Sequence, residues 1–425
     1  MFGIFTYRKP LNFIIALNLL AYSVMFCNLK PYKVETLYFG LGIIFMICTA
    51  YFIILKTKLG DEYLFLIVSM LISLGITMIY RLDNNTGIKQ AIWTAIGIVL
   101  FFAVCQTFRL LKIWDKLAVY YMVASVFLFL ITLLLGRNIN GATNWIVIGK
   151  LSFQPLEISK ILYILFLACY FKKPDQLFFN GAKFDETKRI KLNKLVLVLF
   201  TFINIFFLML QREWGSILLI SFIYIIILYV FGNDVIFFLC NILITIPVAL
   251  FGYYFVHHIK VRIDTWLNPW ADIAGKGYQI TQSLFAICSG GYFGTGLGLG
   301  RPDMVPAVNT DFIFSAICEE MGILTGVAVI LLYMLLTYRG LKIVMKVKMK
   351  FYKVLSLGIT TMLGLQTFII IGGVIKLIPL TGITLPYISY GGSSLVSSFI
   401  ILGILQAISK EDYVEADGGE VDEGE

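Results

Sequence analysis

Four stretches of this 425-residue sequence hold side chains whose types and spacing could do chemistry. The first is Phe153-Gln154-Pro155-Leu156-Glu157-Ile158-Ser159-Lys160. Glu157 and Lys160 are three apart and share a helix face. Both border an apolar run, where an unpaired charge costs ~2.5–3.5 kcal/mol on insertion scales, so a mutual pair is the least costly arrangement. It is either a structural clamp or the support of a substrate-facing site. The second reading is favoured because ionisable groups within a membrane span are functional by default. The second stretch, Gln211-Arg212-Glu213-Trp214-Gly215-Ser216, is a tight turn. It reads equally as an interfacial turn with a Trp anchor and as a polar cluster facing substrate.

The third stretch is Asn309-Thr310-Asp311-Phe312-Ile313-Phe314, followed by Glu319 and Glu320. Thr310 or Asp311 could cap the helix that starts here by accepting its free backbone N–H groups. The same carboxylate could act on a lipid headgroup at the membrane surface. The residues alone favour the cap. Glu319 and Glu320 lie about two turns deeper and point in different directions, so at least one must find a partner. The fourth runs from Gly382 through Pro386, Ser389, Tyr390, Gly391 and Gly392 to Ser393 and Ser394. Pro, Gly-Gly and hydroxyls break a helix. Irregular backbone at membrane depth survives only when buried in protein or lining a wet cavity. A re-entrant element lining a cavity is expected, with an ordinary loop as the alternative.

These stretches sit in a chain that is 59% hydrophobic and 14% charged. Soluble domains carry about 25% charged residues, so too little polar surface exists to cover a water-soluble body. Seven scattered Cys and two adjacent histidines, His257 and His258, give neither a disulfide framework nor metal-ligand spacing. A helix crossing ~30 Å of hydrocarbon needs roughly 20 apolar residues. Twelve runs qualify or come close: Leu11–Cys27, Thr36–Leu55, Tyr63–Tyr80, Ala91–Thr107, Ala118–Leu135, Ile158–Phe171, Leu195–Leu210, Gly215–Phe231, Val235–Phe255, Phe312–Tyr338, Val354–Leu377 and Ser394–Ser409. The sixth is short and extends naturally back towards Leu156. The first lacks a small-residue cleavage site and is followed at once by another span, so it is not expected to be a cleaved signal. The expected fold is an all-α polytopic membrane protein.

Connections on the N-terminal side hold 21 of the 34 basic residues. The positive-inside rule then puts both termini in the cytoplasm. The net charge of +9 reflects loop topology and anionic lipid headgroups. No basic block interleaved with aromatics points to nucleic acid. Three connections on the opposite side are long for a bundle: 136–157, 256–310 and 378–393. Within the second, Tyr278–Cys288 carries Ile280, Leu284 and Ile287 at helical spacing and is expected to lie along the membrane surface. Residues 411–425 hold eight acids and no base, the composition of a disordered tail. No internal repeat supports a transporter of inverted halves.

Taken together and in this order, the four stretches resemble the SEDS family (shape, elongation, division and sporulation proteins), the group of RodA, FtsW and SpoVE. The likeness runs from about Tyr80 to Ile408. It is carried by Asn268-Pro269-Trp270 through Gly277-Tyr278-Gln279 and Gln282-Ser283, by Gly290-Gly291 and Gly294-x-Gly296, by Thr310-Asp311-Phe312-Ile313-Phe314, by Glu319-Glu320, and by Pro386-x-x-Ser389-Tyr390-Gly391-Gly392-Ser393. It implies residues 1–60 as two added helices, 61–409 as a ten-helix core with a large external loop at 256–310, and 410–425 as the tail. It implies a peptidoglycan glycosyltransferase that polymerises lipid II at the outer face of the bacterial plasma membrane, in cell shape, division or sporulation. Asp311 becomes the general base. Gln154, Glu157 and Lys160, with Leu156 where the family has Ser, become a supporting site together with Lys276, Tyr278, Gln279, Ser389, Tyr390, Gly391, Gly392 and Ser393.

The sequence departs from the family at Asn309, usually His, and at Glu213, usually Asp. The leaving diphosphate would need a cation. Lys276, Arg262, Arg137, Arg212 and a divalent ion (Mg or Mn) are the candidates, and no organic cofactor is expected. The implied partners are the polyprenyl lipid substrate, a class B penicillin-binding transpeptidase and other elongation or division machinery. A lipid II flippase and a non-catalytic scaffold for the transpeptidase are the competing readings.

Overall fold

A computed structural model describes residues 9–28, 32–139, 142–149, 151–174, 177–178 and 185–410. The acidic run 411–425 and parts of the 136–157 and 172–194 connections lie outside them. Every expected apolar run is helical. In chain order the helices are α1 (Lys9–Asn28), α2 (Val34–Thr57), α3 (Glu62–Leu82), α4 (Asn84–Leu110), α5 (Ala118–Leu135), α6 (Leu156–Lys172), α7 (Glu186–Leu210), α8 (Trp214–Phe231), α9 (Val235–Phe255), α10 (His257–Leu267), α11 (Tyr278–Gly290), α12 (Ile313–Lys346), α13 (Lys350–Val374) and α14 (Gly392–Ile408). Among the described residues nine are long and apolar enough to cross a membrane. Large apolar side chains stand outward on the apolar helices, as at Leu134 on α5 and Ile236 on α9, the surface expected of helices in hydrocarbon. The chain is an all-α polytopic membrane protein.

One connection departs from the expected loop. Arg137–Ile139, Ala142–Ile148 and Leu151–Phe153 form a three-stranded antiparallel meander, β1 to β3. The β-branched run Ile146-Val147-Ile148 favours a strand, and Gly149 turns the chain at φ +62°, a conformation that suits glycine.

The chain divides into two compact units. The first comprises residues 1–101, 256–338 and 366–402. Its centre is α3, buried along nearly its whole length from Leu64 to Tyr80. On it rest α1 and α2, held by a hydrogen bond from Asn18 Nδ2 to Ser73 Oγ (2.9 Å) and by a cluster in which Phe39 stacks on Tyr80 at 4.3 Å beside Tyr22. Gly40 permits this packing, since a Cβ there would lie 2.6 Å from the Tyr22 ring.

The second unit comprises residues 102–255, 339–365 and 403–425. Three pairs of its buried polar side chains satisfy one another: Ser125 Oγ donates to Asn204 Oδ1 (3.1 Å), Tyr163 and Thr201 share a hydrogen bond (3.0 Å), and Tyr224 donates to Asn241 (2.9 Å). Such pairing is what a bundle without water requires.

Candidate active site

In the first unit a glycine-rich run links α11 to α12. Gly291, Gly294, Gly296 and Gly298 all have positive φ, so the run can fold back on α12. The N–H groups of Thr295 and Gly296 donate to the carbonyls of Glu319 and Glu320 (2.9 and 3.0 Å). That of Arg301 reaches Glu319 Oε1 (2.7 Å) and that of Gly298 reaches Glu320 Oε2 (3.0 Å). α12 breaks at Gly322 (φ 83°), which frees carbonyls for these bonds. Arg81 completes the group. Its Nε lies 2.7 Å from Glu320 Oε1 and its Nη2 donates to Gly300 O (2.9 Å). Both glutamates therefore have partners, not merely one. Arg81 was not singled out from the sequence; a cation at the end of an apolar helix was the available signal.

Asp311 sits at the end of this loop, just before α12. The turn from Ala307, itself at φ 54°, is closed by the Asp311 N–H donating to Ala307 O (3.1 Å). The Thr310 hydroxyl donates backwards to Ala307 O (3.2 Å), a bond directed away from the first turn of α12. The 382–394 stretch packs against this turn. Tyr390 N–H donates to Asn309 O (2.8 Å) and Ser389 Oγ to Thr310 O (2.5 Å). At position 309 that bond uses the main-chain carbonyl, so the replacement of the family's His leaves it in place.

The expected re-entrant stretch is irregular and largely buried, and protein satisfies its backbone. Gln90 Nε2 donates to Ser389 O (3.1 Å), Gln366 Nε2 to Thr384 O (2.9 Å) and Tyr333 Oη to Pro386 O. Gln90 Oε1 accepts from Gly391 N (3.4 Å). Gly392 lies so close over Trp93 that a Cβ would approach its ring to 2.5 Å. Ser393 is buried beside it. Much of this irregular backbone is thus buried in protein, one of the two environments that tolerate it, while Gly382 at its start is exposed.

The chemically pointed feature is a notch at Gly382 (φ 76°). A Cβ there would lie 3.2 Å from Arg262 Nη2 and 3.7 Å from Asp311 Oδ2. Arg262 is exposed on α10 and anchored by Nη1 donating to Thr381 O (2.7 Å). Guanidinium and carboxylate thus converge on one small residue. Burial pushes the Asp311 carboxyl above the ordinary carboxylate range, while the Thr310 hydroxyl and the Arg262 charge pull against it.

The other expected residues of this unit stand at the start of α11. Lys276 is exposed, and its N–H donates to Asp272 Oδ2 (3.0 Å). Tyr278 is half-buried and Gln279 exposed. α11 itself is present as expected, but its buried face is small and polar as well as apolar: Ile280, Thr281, Ser283, Ala286 and Gly290. Ser283 shares a 2.7 Å hydrogen bond with Ser315, and a Cβ at Gly290 would lie 2.0 Å from Cys318 O. The helix is thereby fixed to α12 and does not rest on lipid alone.

The second unit holds the remaining candidates. Glu157 and Lys160 form the expected pair, Lys160 Nζ to Glu157 Oε1 at 2.9 Å, with both side chains buried. Gln154 Nε2 approaches Glu213 Oε1 (3.5 Å), and Asn144 on β2 donates to the same oxygen. The first two sequence stretches thus form one polar cluster, joined by a strand residue the sequence did not flag. Arg137 and Arg212 are exposed in this unit. For the divalent ion, no three His, Cys, Asp or Glu side chains converge among the described residues, so the residues present do not form a protein cage for it.

The model of the FtsW/RodA/SpoVE family, described as cell cycle protein, matches residues 61–414. The peptidoglycan glycosyltransferase RodA of Mycobacterium tuberculosis (strain ATCC 25618 / H37Rv) is 36% identical over 367 residues, covering 82% of this chain and 78% of that protein. The stage V sporulation protein E of Bacillus subtilis (strain 168) is 33% identical over 376 residues, covering 84% and 98%. The crystal structure of the rod shape determining protein RodA of Thermus thermophilus matches with TM-score 0.61 and 27% identity, over 83% of this chain and 98% of that one. A chain from a peptidoglycan synthase complex, studied for coordination of polymerization and crosslinking, matches with TM-score 0.65 and 25% identity over the same shares. With its spans, its Thr310-Asp311-Phe312 turn and its Pro386–Ser393 stretch in family order, this chain belongs to the FtsW/RodA/SpoVE family.

Proposed function

We propose that this chain is a peptidoglycan glycosyltransferase that polymerises lipid II, with Asp311 as general base. The observation that carries the reading is the convergence of the Asp311 carboxylate and the Arg262 guanidinium on Gly382, in a member of a family that includes named peptidoglycan glycosyltransferases. The acceptor sugar's 4-hydroxyl is a weak nucleophile. As its oxygen forms the new bond to the donor's anomeric carbon, its proton passes to Asp311. The bond from that carbon to the diphosphate breaks, and the polyprenyl diphosphate leaves with the electron pair. A single displacement inverts the anomeric carbon. A positioned base contributes typically ~10²–10⁴-fold.

Arg262 is the first choice among the candidate cations for stabilising the leaving diphosphate, because it is fixed beside the base. The raised Asp311 pKa strengthens the base relative to an ordinary carboxylate while Arg262 limits the rise. Glu157, Lys160 and Gln154 support a polar cluster of the second unit. The excess of basic residues in alternate connections supports cytoplasmic termini. The similarity to a chain of a synthase complex that couples polymerization with crosslinking supports a class B penicillin-binding transpeptidase as partner.

The test is purified full-length protein mixed with detergent-solubilised lipid II and no second polymerase. Glycan chains from the native protein and a strongly reduced yield from a folded Asp311→Asn variant are expected. Translocation of lipid II across sealed vesicles without chain growth would replace this reading by a flippase. Chain growth unaffected by Asp311→Asn would remove the base.

A further inference from the structure

We infer that the second unit carries a binding site for the phosphate-bearing headgroup of an anionic membrane lipid, at the end of α4 that bears Arg109. A cavity of about 600 Å³ opens there between the end of α4, the turn that follows it, the end of α6 and the start of α13. Four of its lining side chains are basic, Arg109, Lys112, Lys116 and Lys172, against the single acid Asp115. Asp115 is already engaged in an ion pair with Lys172. Among the described residues, Arg109, Lys112 and Lys116 form no ion pair with a carboxylate. Three cations on one concave wall repel one another unless an anion joins them. None of these residues takes part in the chemistry proposed for Asp311.

The wall is a built surface. Trp114, in the turn, stacks on Phe108 with centroids 4.9 Å apart, and Phe108 meets the buried Tyr352 edge-on at 6.1 Å. The Tyr121 hydroxyl donates to Trp114 O (2.9 Å). The aromatic frame fixes the turn, and the turn fixes the directions from which Lys112 and Lys116 reach the cavity.

A phosphate group could come from a lipid or from a soluble metabolite. The rim favours the lipid. Leu110 lines the cavity, and Leu110, Leu111 and Ile113 are exposed by 69%, 46% and 48%. Apolar side chains beside a basic pocket at the end of a spanning helix suit a ligand with a charged head and acyl chains, and basic pockets between spanning helices take such headgroups. The same basic residues belong to a connection that the charge bias assigns to the cytoplasmic side, where anionic lipids attract them.

The experiment uses the full chain in nanodiscs or detergent and reads retained lipid by native mass spectrometry. Phosphatidylglycerol and cardiolipin are the probes, with phosphatidylcholine as the zwitterionic reference and glycerol 3-phosphate as the soluble competitor. Preferential retention of the anionic lipids is expected. It should weaken roughly fivefold per charge removed, hence ~100-fold in the triple variant Arg109→Gln, Lys112→Gln, Lys116→Gln. The variant Arg109→Lys, Lys112→Arg, Lys116→Arg should retain binding, which separates charge from loss of fold. Equal retention of phosphatidylcholine by the native chain, or undiminished anionic-lipid retention by the neutralised variant, overturns the site. Displacement by glycerol 3-phosphate at concentrations equal to the lipid's overturns the lipid as its occupant.

Discussion

Two charged constellations, one in each unit, solve opposite problems. Glu157 and Lys160 are neighbours on one face of α6, buried together and bonded to each other at 2.9 Å. Asp311 and Arg262 come from separate elements and meet at an exposed glycine. The first pair lies within one helix and away from solvent: each charge compensates the other in a low-dielectric bundle, and removing one takes that compensation away. The second is open, with a guanidinium exposed on one side and a carboxyl raised by burial on the other. A closed pair holds a bundle together, whereas an open one can exchange partners with a substrate. The contrast predicts that activity and stability separate between the two regions.

The largest effect is expected at Asp311. Replacing it by Asn should lower glycan polymerisation by ~10²–10⁴-fold while the thermal midpoint stays near native. A large fall in that midpoint would make the residue structural and collapse the contrast. At the closed pair the signature should invert. Lys160→Met should destabilise by ~3–5 kcal/mol because it removes the opposite charge held against the buried Glu157 carboxylate. The double variant Glu157→Gln, Lys160→Met should recover part of that in the same detergent-melt assay. No recovery would mean that the two side chains are not coupled.

A subtler change sharpens the open site. Arg262 holds the Asp311 carboxyl down against the burial that raises it. Removing the guanidinium in Arg262→Ala therefore raises that pKa further, and the acid limb of the pH–rate profile should move to higher pH. A limb that moves down, or stays, would show that Arg262 does not act on this carboxyl. The smallest effect belongs away from both pairs. Asn28→Ala removes one side-chain bond to Leu297 O, made at 2.8 Å, and should cost about 1 kcal/mol, read as a small drop in the thermal midpoint.

The sequence displayed the spans well because a membrane helix is a property of one contiguous run: each of the twelve runs is a helix, and α6 begins at Leu156. The Glu157–Lys160 pair was equally visible, since helical spacing alone brings the two together. What stayed hidden depends on distant segments meeting. Asn144 and Gln154 on Glu213 and Arg262 with Asp311 across Gly382 have no local signature, and Arg81 shows in the sequence as a cation at a helix end but without its partner Glu320. Motif likeness supplied Asp311 and the 386–393 stretch, but not that Ser389 and Tyr390 would grip the main chain at Thr310 and Asn309.

The bond from Asn28 has a mechanical meaning that its modest energy conceals. Residues before 61 lie ahead of the part shared with the family, yet Ala21, Tyr22 and Met25 pack with Leu297, which belongs to the glycine-rich run that wraps Glu319 and Glu320. A segment of glycines has little stiffness of its own. The first helix works as a splint, lending rigidity to a strip of chain too pliant to hold its shape alone.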